Sequence, residues 1–414
     1  MSDQSRKLGN SSMAEFVGMM AMSMALTALS VDIMLVVLPD IAADFQLTDA
    51  NTQQFVITTY MAAFATGHLV VGPMSDRLGR KPVLVGGFLL YAAGTILAIF
   101  AQSFEMLLAA RAVQGLGASG PRVVAVAVVR DRYVGRGMSQ IMSIVMMVFI
   151  ILPIIAPSLG SLLALLGSWQ PIFVFLLAFA LCVMVWIGVR LEETNPRTGE
   201  GVRKAVPVLV ALKTILESRQ TVGYTMSLGF IFGCLITYIA SAQQMFEDIY
   251  GIVTWFPLIF ASVAGGMVVA SLVNSTVVER IGMRRLSHGA LIVFALVAVV
   301  ANIVHVAIGE FPVGLLVAFL SLSFFLVGLM LPNFNALAME PLGAIAGTGS
   351  SFVGFAMTAL GAILGGAVGQ LYDGSAYPLF TGYCFFALIS LVIVVITERG
   401  RLMHASPQHG DASK

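Results

Sequence analysis

The sequence predicts an all-α membrane protein: twelve transmembrane helices in two six-helix bundles, with both termini cytoplasmic. Three observations carry that prediction, namely the composition, the length of the apolar runs and the placing of the basic residues. Of 414 residues, 58% are hydrophobic and 10% charged, with a mean hydropathy of +0.95. Soluble domains do not have this composition. A helix needs about 20 apolar residues to cross about 30 Å of hydrocarbon, and such runs fill most of the chain. Their length and lack of alternation argue for helices rather than a barrel.

Taken in order, the first run, near 14–38, is too long for a cleavable signal and reads as a signal anchor. Spans 2 and 3, near 54–74 and 82–101, flank a tight charged turn, GPMSDRLGRK, at 72–81. Span 4, near 104–128, ends in Val129-Arg130-Asp131, and span 5, near 138–164, carries Pro153, Pro157 and Gly160. Span 6, near 169–190, leads into a basic, polar stretch. Six further spans follow near 221–244, 253–277, 284–308, 311–335, 345–370 and 376–397. The expected organisation is a first bundle over 1–190, a cytoplasmic linker over 191–220, and a second bundle with its tail over 221–414.

Orientation follows from the basic residues. Every Lys and Arg except Arg111 and Arg122 lies in the tails, in the middle segment, or in the turns at 77–81, 130–136 and 280–285. The intervening turns carry acids such as Asp40, Asp44, Glu105, Glu247, Glu310 and Asp373. The positive-inside rule then puts both tails and the linker in the cytoplasm. The turn near Glu340 is the exception, cytoplasmic by this count yet without a base. The linker's basic residues are read as solvated rather than as a nucleic-acid or lipid site.

Cys182, Cys234 and Cys384 fall within spans and are expected to be free thiols, with neither disulfide nor metal-ligand spacing. The chain shows no nucleotide loop, metal cluster or nucleophile–base arrangement, which argues against an enzyme. The absence of an ATP-binding domain also argues for an ion gradient rather than ATP as the energy source, with no cofactor expected.

Sliding the sequence on itself by 203 residues sets Asp76-Arg77-Leu78-Gly79-Arg80-Lys81 against Glu279-Arg280-Ile281-Gly282-Met283-Arg284. Both strings follow the second span of a six-span block. Repeated bundles imply a substrate site near the bilayer midplane and alternating access.

Within the spans, Asp32 and Arg111 are the costly residues, each about six residues, or about 9 Å, from the outer end of its helix. At that depth they can meet. Two readings stay open: a static ion pair that tightens the bundle, or a proton site whose carboxyl responds to changing solvation, with Arg111 tuning it and Gln114 supplying hydrogen bonds. His68 and Arg122 lie deeper, at similar levels. Tyr60, Tyr238, Gln243, Asn333 and Asn335 are candidates for a cavity lining, and the methionines at 19–24 and 142–147 for an adaptable wall.

The 72–81 string resembles the signature loop between helices 2 and 3 of the major facilitator superfamily. Arg111-Ala-Val-Gln114-Gly115-Leu-Gly117 resembles that superfamily's second motif, and Pro153-Ile-Ile-Ala-Pro157-Ser-Leu-Gly160 resembles the helix-5 motif of its proton-driven exporters. Together with Asp32 and Leu38-Pro39-Asp40-Ile41-Ala42-Ala43-Asp44-Phe45, the pattern is similar to the bicyclomycin and chloramphenicol resistance (Bcr/CflA) branch of twelve-span drug:proton antiporters. The chain departs from that branch at Met34 and Val36, where a Tyr and a Pro are usual. The resemblance implies a multi-pass inner-membrane exporter of drugs or amphipathic small molecules. It would act as a monomer in membrane lipid, with substrate and protons as partners and no nucleic acid. It further implies a conformational latch built from Gly72, Asp76, Arg77, Gly79, Arg80, Lys81 and Arg130. Export of a sugar, amino acid or other metabolite, or a transport-dead sensor or scaffold on the same fold, are the alternatives.

Overall fold

A computed structural model describes residues 12–133, 135–194 and 208–403. It is 87% helix, with no strand among the described residues. The chain divides into two compact units, Met1–Ala205 and Val206–Lys414, so the boundary falls within the basic stretch that the sequence marks as a linker.

In the first unit, α1 (Met13–Asp32), a 3₁₀ turn (Leu35–Val37) and α2 (Leu38–Asp44) together make up the first span. Then come α3 (Phe55–Leu78), α4 (Arg80–Ile99), α5 (Phe104–Arg132), α6 (Gly135–Ala164) and α7 (Gln170–Arg190). The second unit opens with the short α8 (Val208–Glu217). It continues with α9 (Arg219–Tyr250), α10 (Phe256–Ile281), α11 (Met283–Ile308), α12 (Val313–Met339), α13 (Ala346–Gln370) and α14 (Tyr377–Thr397). Eleven helical stretches are long and apolar enough to cross a membrane, and α6 adds the shorter apolar segment Ile154–Ala164 among its described residues.

The first span is not the continuous helix over 14–38 that its apolar run predicts. Regular α structure stops at Asp32, and the chain tightens before α2 begins with a proline in its first turn. Pro39 has no N–H to give the Leu35 carbonyl, and its ring would collide with that carbonyl in an unbroken helix. The apolar run therefore continues through a backbone break.

At the turn after α3 the structure differs from the sequence expectation in the other direction. Helix α3 runs on to Leu78 instead of ending near 74, and a single residue, Gly79, separates it from α4. Gly79 has φ 105° and ψ 155°; Gly282, between α10 and α11, has φ 85° and ψ 153°. That left-handed region is open to glycine at little cost. The 203-residue repeat thus extends to the backbone torsions of its hinge residues.

Candidate functional site

The break after Asp32 shapes the centre of the first unit. Met34 N–H bonds to the Val31 carbonyl at 3.3 Å, a tightened turn, so the Ser30 carbonyl is left out of the backbone ladder. A carbonyl freed inside a membrane span needs another donor. Arg111, from α5, supplies it: its Nη2 donates to Ser30 O at 2.9 Å.

The rest of the guanidinium is also engaged. Nε donates to Val56 O at 3.0 Å and Nη1 to Gln114 Oε1 at 2.5 Å, and the group lies 4.4 Å from the Tyr60 ring centroid, a cation–π contact. Gln114 Nε2 donates to Thr95 Oγ1 at 2.9 Å, and Thr95 donates to the Tyr91 carbonyl at 2.7 Å. Ser30 Oγ donates to Leu26 O at 2.6 Å, which leaves the Tyr91 hydroxyl to donate to Ser30 Oγ, also at 2.6 Å. A closed ring of polar contacts thereby ties α5 to α4 and α1, through residues that are fully buried. Ser30, Tyr91 and Thr95 were not singled out from the sequence. A serine or threonine inside a span is common, and nothing local marks these as partners of an arginine far along the chain.

Asp32 sits two residues beyond Ser30 and is 4% exposed. Its carboxyl makes neither a hydrogen bond nor an ion pair with any described residue. The depth argument therefore brings Asp32 and Arg111 to the same place without joining them, and the static ion pair is absent. Gly160 of α6 packs against this same point. A Cβ there would fall 2.5 Å from the Ile33 carbonyl and 2.7 Å from the Val36 side chain. Pro157 is buried in the same helix; the Pro153 side chain lies outside the described residues.

The charged turn at 72–81 is a second cluster. Arg80 is 6% exposed, and it pairs with Asp76 at 2.5 Å and with Asp131, at the end of α5, at 2.7 Å. Its Nη1 also donates to Ser75 Oγ at 2.7 Å. Gly72 contributes its carbonyl, which accepts from Ser75 Oγ at 2.9 Å. Asp76, Arg77 and Arg130 are exposed. Glu193, just past α7, was missed by sequence reasoning: it accepts from the backbone N–H groups of Arg80 at 2.8 Å and Lys81 at 3.1 Å. Those N–H groups open α4 and have no partner within the helix, and the positive end of the helix dipole favours an anion there.

The second unit repeats this clasp with a one-residue slip. Met283 stands where the repeat aligns Arg80, and the next residue, Arg284, does the work. It pairs with Glu340 after α12 and Glu398 after α14, each at 3.0 Å. Gln220 joins Glu340 at 2.7 Å. The turn near Glu340 lacks a base of its own because α11 provides one. Burial raises the cost of charge on Glu398, yet hydrogen bonds from Tyr224 and Arg284 outweigh it and hold its carboxyl below the usual carboxylate range.

Of the suggested cavity residues, Tyr60, Tyr238, Gln243 and Asn333 are buried, whereas Asn335 is exposed. Asn333 is held by Asn274 at 2.6 Å and by the Leu329 carbonyl at 2.7 Å. His68 is buried against the Phe64 ring, 4.5 Å between centroids.

Comparison with known proteins bears on this arrangement. A family model described as Major Facilitator Superfamily matches residues 20–366. The chain is 26% identical to a bicyclomycin resistance protein homolog of Haemophilus influenzae, over 87% of this chain and 90% of that protein. It is 29% identical to a chloramphenicol resistance protein of Pseudomonas aeruginosa, over 84% and 81% respectively. Among solved structures, a bacterial homolog of the human lysosomal transporter Spinster superposes with a TM-score of 0.70 at 13% identity, covering 95% of this chain and 98% of that one.

Proposed function

The chain belongs to the Major Facilitator Superfamily, and from that premise we propose that it exports drugs or related amphipathic small molecules in exchange for protons, by alternating access of its two units. It is a transporter rather than an enzyme, of the branch whose members include drug-resistance proteins. The finer reading is ours: antiport, a bacterial inner membrane, twelve spans with both termini cytoplasmic, and a monomer working in lipid without a cofactor.

The observation that carries this reading is the unpartnered carboxyl of Asp32, buried at a helix break beside an arginine held by other acceptors. A carboxyl without a fixed counter-ion takes or releases a proton as water gains or loses access to it. In the outward-facing state Asp32 takes a proton and substrate leaves; in the inward-facing state substrate binds as the proton is released. Each positive charge moved inward gains about 2.3 kcal/mol per 100 mV of membrane potential. Arg111 and Gln114 set the local field, and Pro153, Pro157 and Gly160 shape the helix that packs against the break. The cluster of Gly72, Asp76, Arg77, Gly79, Arg80, Lys81 and Arg130 serves as the latch of the closed state.

The test is efflux from everted membrane vesicles with a panel of drugs and metabolites, with and without an uncoupler. Uncoupler-sensitive transport of a drug supports the proposal, and uptake of metabolites alone would replace drug export by metabolite export. Transport of no panel member would leave the fold and remove the function.

A further inference from the structure

The second unit holds a buried imidazole that the proposed exchange does not use. His288, in the second turn of α11, is fully buried. Both of its ring nitrogens are engaged: Nδ1 lies 3.2 Å from the backbone nitrogen of Met403, and Nε2 lies 2.9 Å from the hydroxyl of Tyr224 on α9. A backbone N–H can only donate, so Nδ1 holds its lone pair outward and the ring proton sits on Nε2. Tyr224 then accepts from His288 and donates its own proton to Glu398 at 2.5 Å. Every donor along this line is thereby fixed in direction, from Met403 to His288, to Tyr224, to Glu398.

We propose that His288 is a proton-binding site of the second unit, and that proton binding and docking of the 400–403 segment exclude one another. A second proton on the ring has only Nδ1 to occupy. Once there, it faces the Met403 N–H, donor against donor, and the hydrogen bond becomes a repulsion. On the other side nothing changes, because Nε2 donates to Tyr224 in both forms.

The segment is poised for release. Met403 has a φ of 64°, a left-handed conformation unfavourable for a residue with a side chain. That cost is offset where the segment is held: at His288 Nδ1, and at the Met403 carbonyl, which accepts from Arg285 Nε at 3.1 Å. Protonation removes the first hold.

The groups facing the ring fit such a site. Tyr224 stacks on it from α9, 6.1 Å between centroids, and Phe334 approaches from α12 at 6.4 Å. Glu398, past α14, attracts a positive ring, while Arg284 on the same helix opposes it and is itself paired with Glu398 and Glu340. By the charge distribution of the sequence this end of the unit is cytoplasmic, so the proton would come from that side.

The inference is independent of what the protein transports, and its test uses the intact chain in lipid nanodiscs. Amide hydrogen exchange of Met403 and its immediate neighbours is followed from about pH 7.5 to about pH 4, and corrected for the intrinsic slowing of exchange in acid. The expected result is a loss of protection of about tenfold or more at the lower pH. In His288→Asn, whose Oδ1 stands where Nδ1 does but takes no proton, the segment should stay protected at both values. Nitrogen-15 spectra of the histidine-labelled wild-type protein give a second readout that needs no variant: a neutral ring protonated at Nε2 near neutrality, converting to imidazolium over the interval in which protection is lost. Protection unchanged by pH, pH dependence that survives in His288→Asn, or a ring that stays neutral while the segment releases would each overturn the proposal.

Discussion

Arg111 Nη2 donates to the Ser30 carbonyl at 2.9 Å, two residues short of the Asp32 carboxyl that lies within the same turn of chain. The helix break creates the acceptor that holds the arginine, and the same break leaves the carboxyl at the end of α1 without a partner. One local change in the first span therefore supplies both features on which proton exchange would depend.

Asp32→Asn keeps the side chain's shape and removes its proton chemistry. Gradient-driven efflux from everted vesicles should fall to the level seen with an uncoupler, and substrate affinity, read by fluorescence or calorimetry, should lose the pH dependence that linkage to Asp32 gives the wild-type protein. Substrate-dependent proton release from the purified protein should vanish as well. Undiminished release from the variant would move the coupling site elsewhere.

Arg111→Lys preserves charge but not the fork of donors. The guanidinium reaches Ser30, Val56 and Gln114 at once, and an ammonium on a single stem cannot match that geometry. Transport should drop by about tenfold or more, with a melting temperature lower than that of the wild-type protein. A variant with wild-type efflux would show that the charge alone suffices.

Gly160→Ala tests the packing of α6 on the break. Its Cβ would press on the backbone oxygen of Ile33, which has no side-chain freedom to yield. Overpacking of this kind costs about 1–3 kcal/mol, and the expected signs are a lowered melting temperature and a reduced efflux rate. Equal stability would mean that the break itself moves to accommodate the methyl group.

How much of this was written in the sequence depends on the range of the interaction. The spans were legible because the bilayer imposes a length and excludes charge, and both leave marks within a single run. The end of α1 was not read, although its cause, Pro39, stands in plain view: the apolar run continues past it, and hydropathy does not register a missing N–H. Glu193 was hidden for a different reason. It acts on α4 across 112 residues of chain, through backbone groups that any residues at 80 and 81 would present. Arg284 was aligned with Lys81 by the repeat but performs the task of Arg80, since the side chain that reaches the two acids, rather than its place in the string, decides the match.

Glu398 gives a pH dependence whose sign follows from its position. Its folded pKa lies below the ordinary value of 4.5, so its contribution to stability is present above that value and is lost as pH falls through the folded pKa. Melting temperatures of wild-type protein and Glu398→Gln, compared from neutral pH downward, should differ near neutrality and converge in acid. A constant difference across the range would mean that the residue contributes packing rather than charge.

Gly79→Ala and Gly282→Ala form a matched pair, because the two glycines share a backbone conformation but not surroundings. At Gly282 a Cβ meets nothing within 4 Å, so the substitution carries only the backbone penalty, about 1–3 kcal/mol. At Gly79 the same Cβ would stand 2.6 Å from Glu193 Oε2. It would displace the carboxylate that caps α4, adding about 1 kcal/mol for the lost cap. The Gly79 variant should therefore melt lower than the Gly282 variant, and adding Glu193→Ala should cost the Gly79 variant little further stability while costing the Gly282 variant the full cap. Equal effects in both backgrounds would show that Glu193 does not act through the α4 N-terminus.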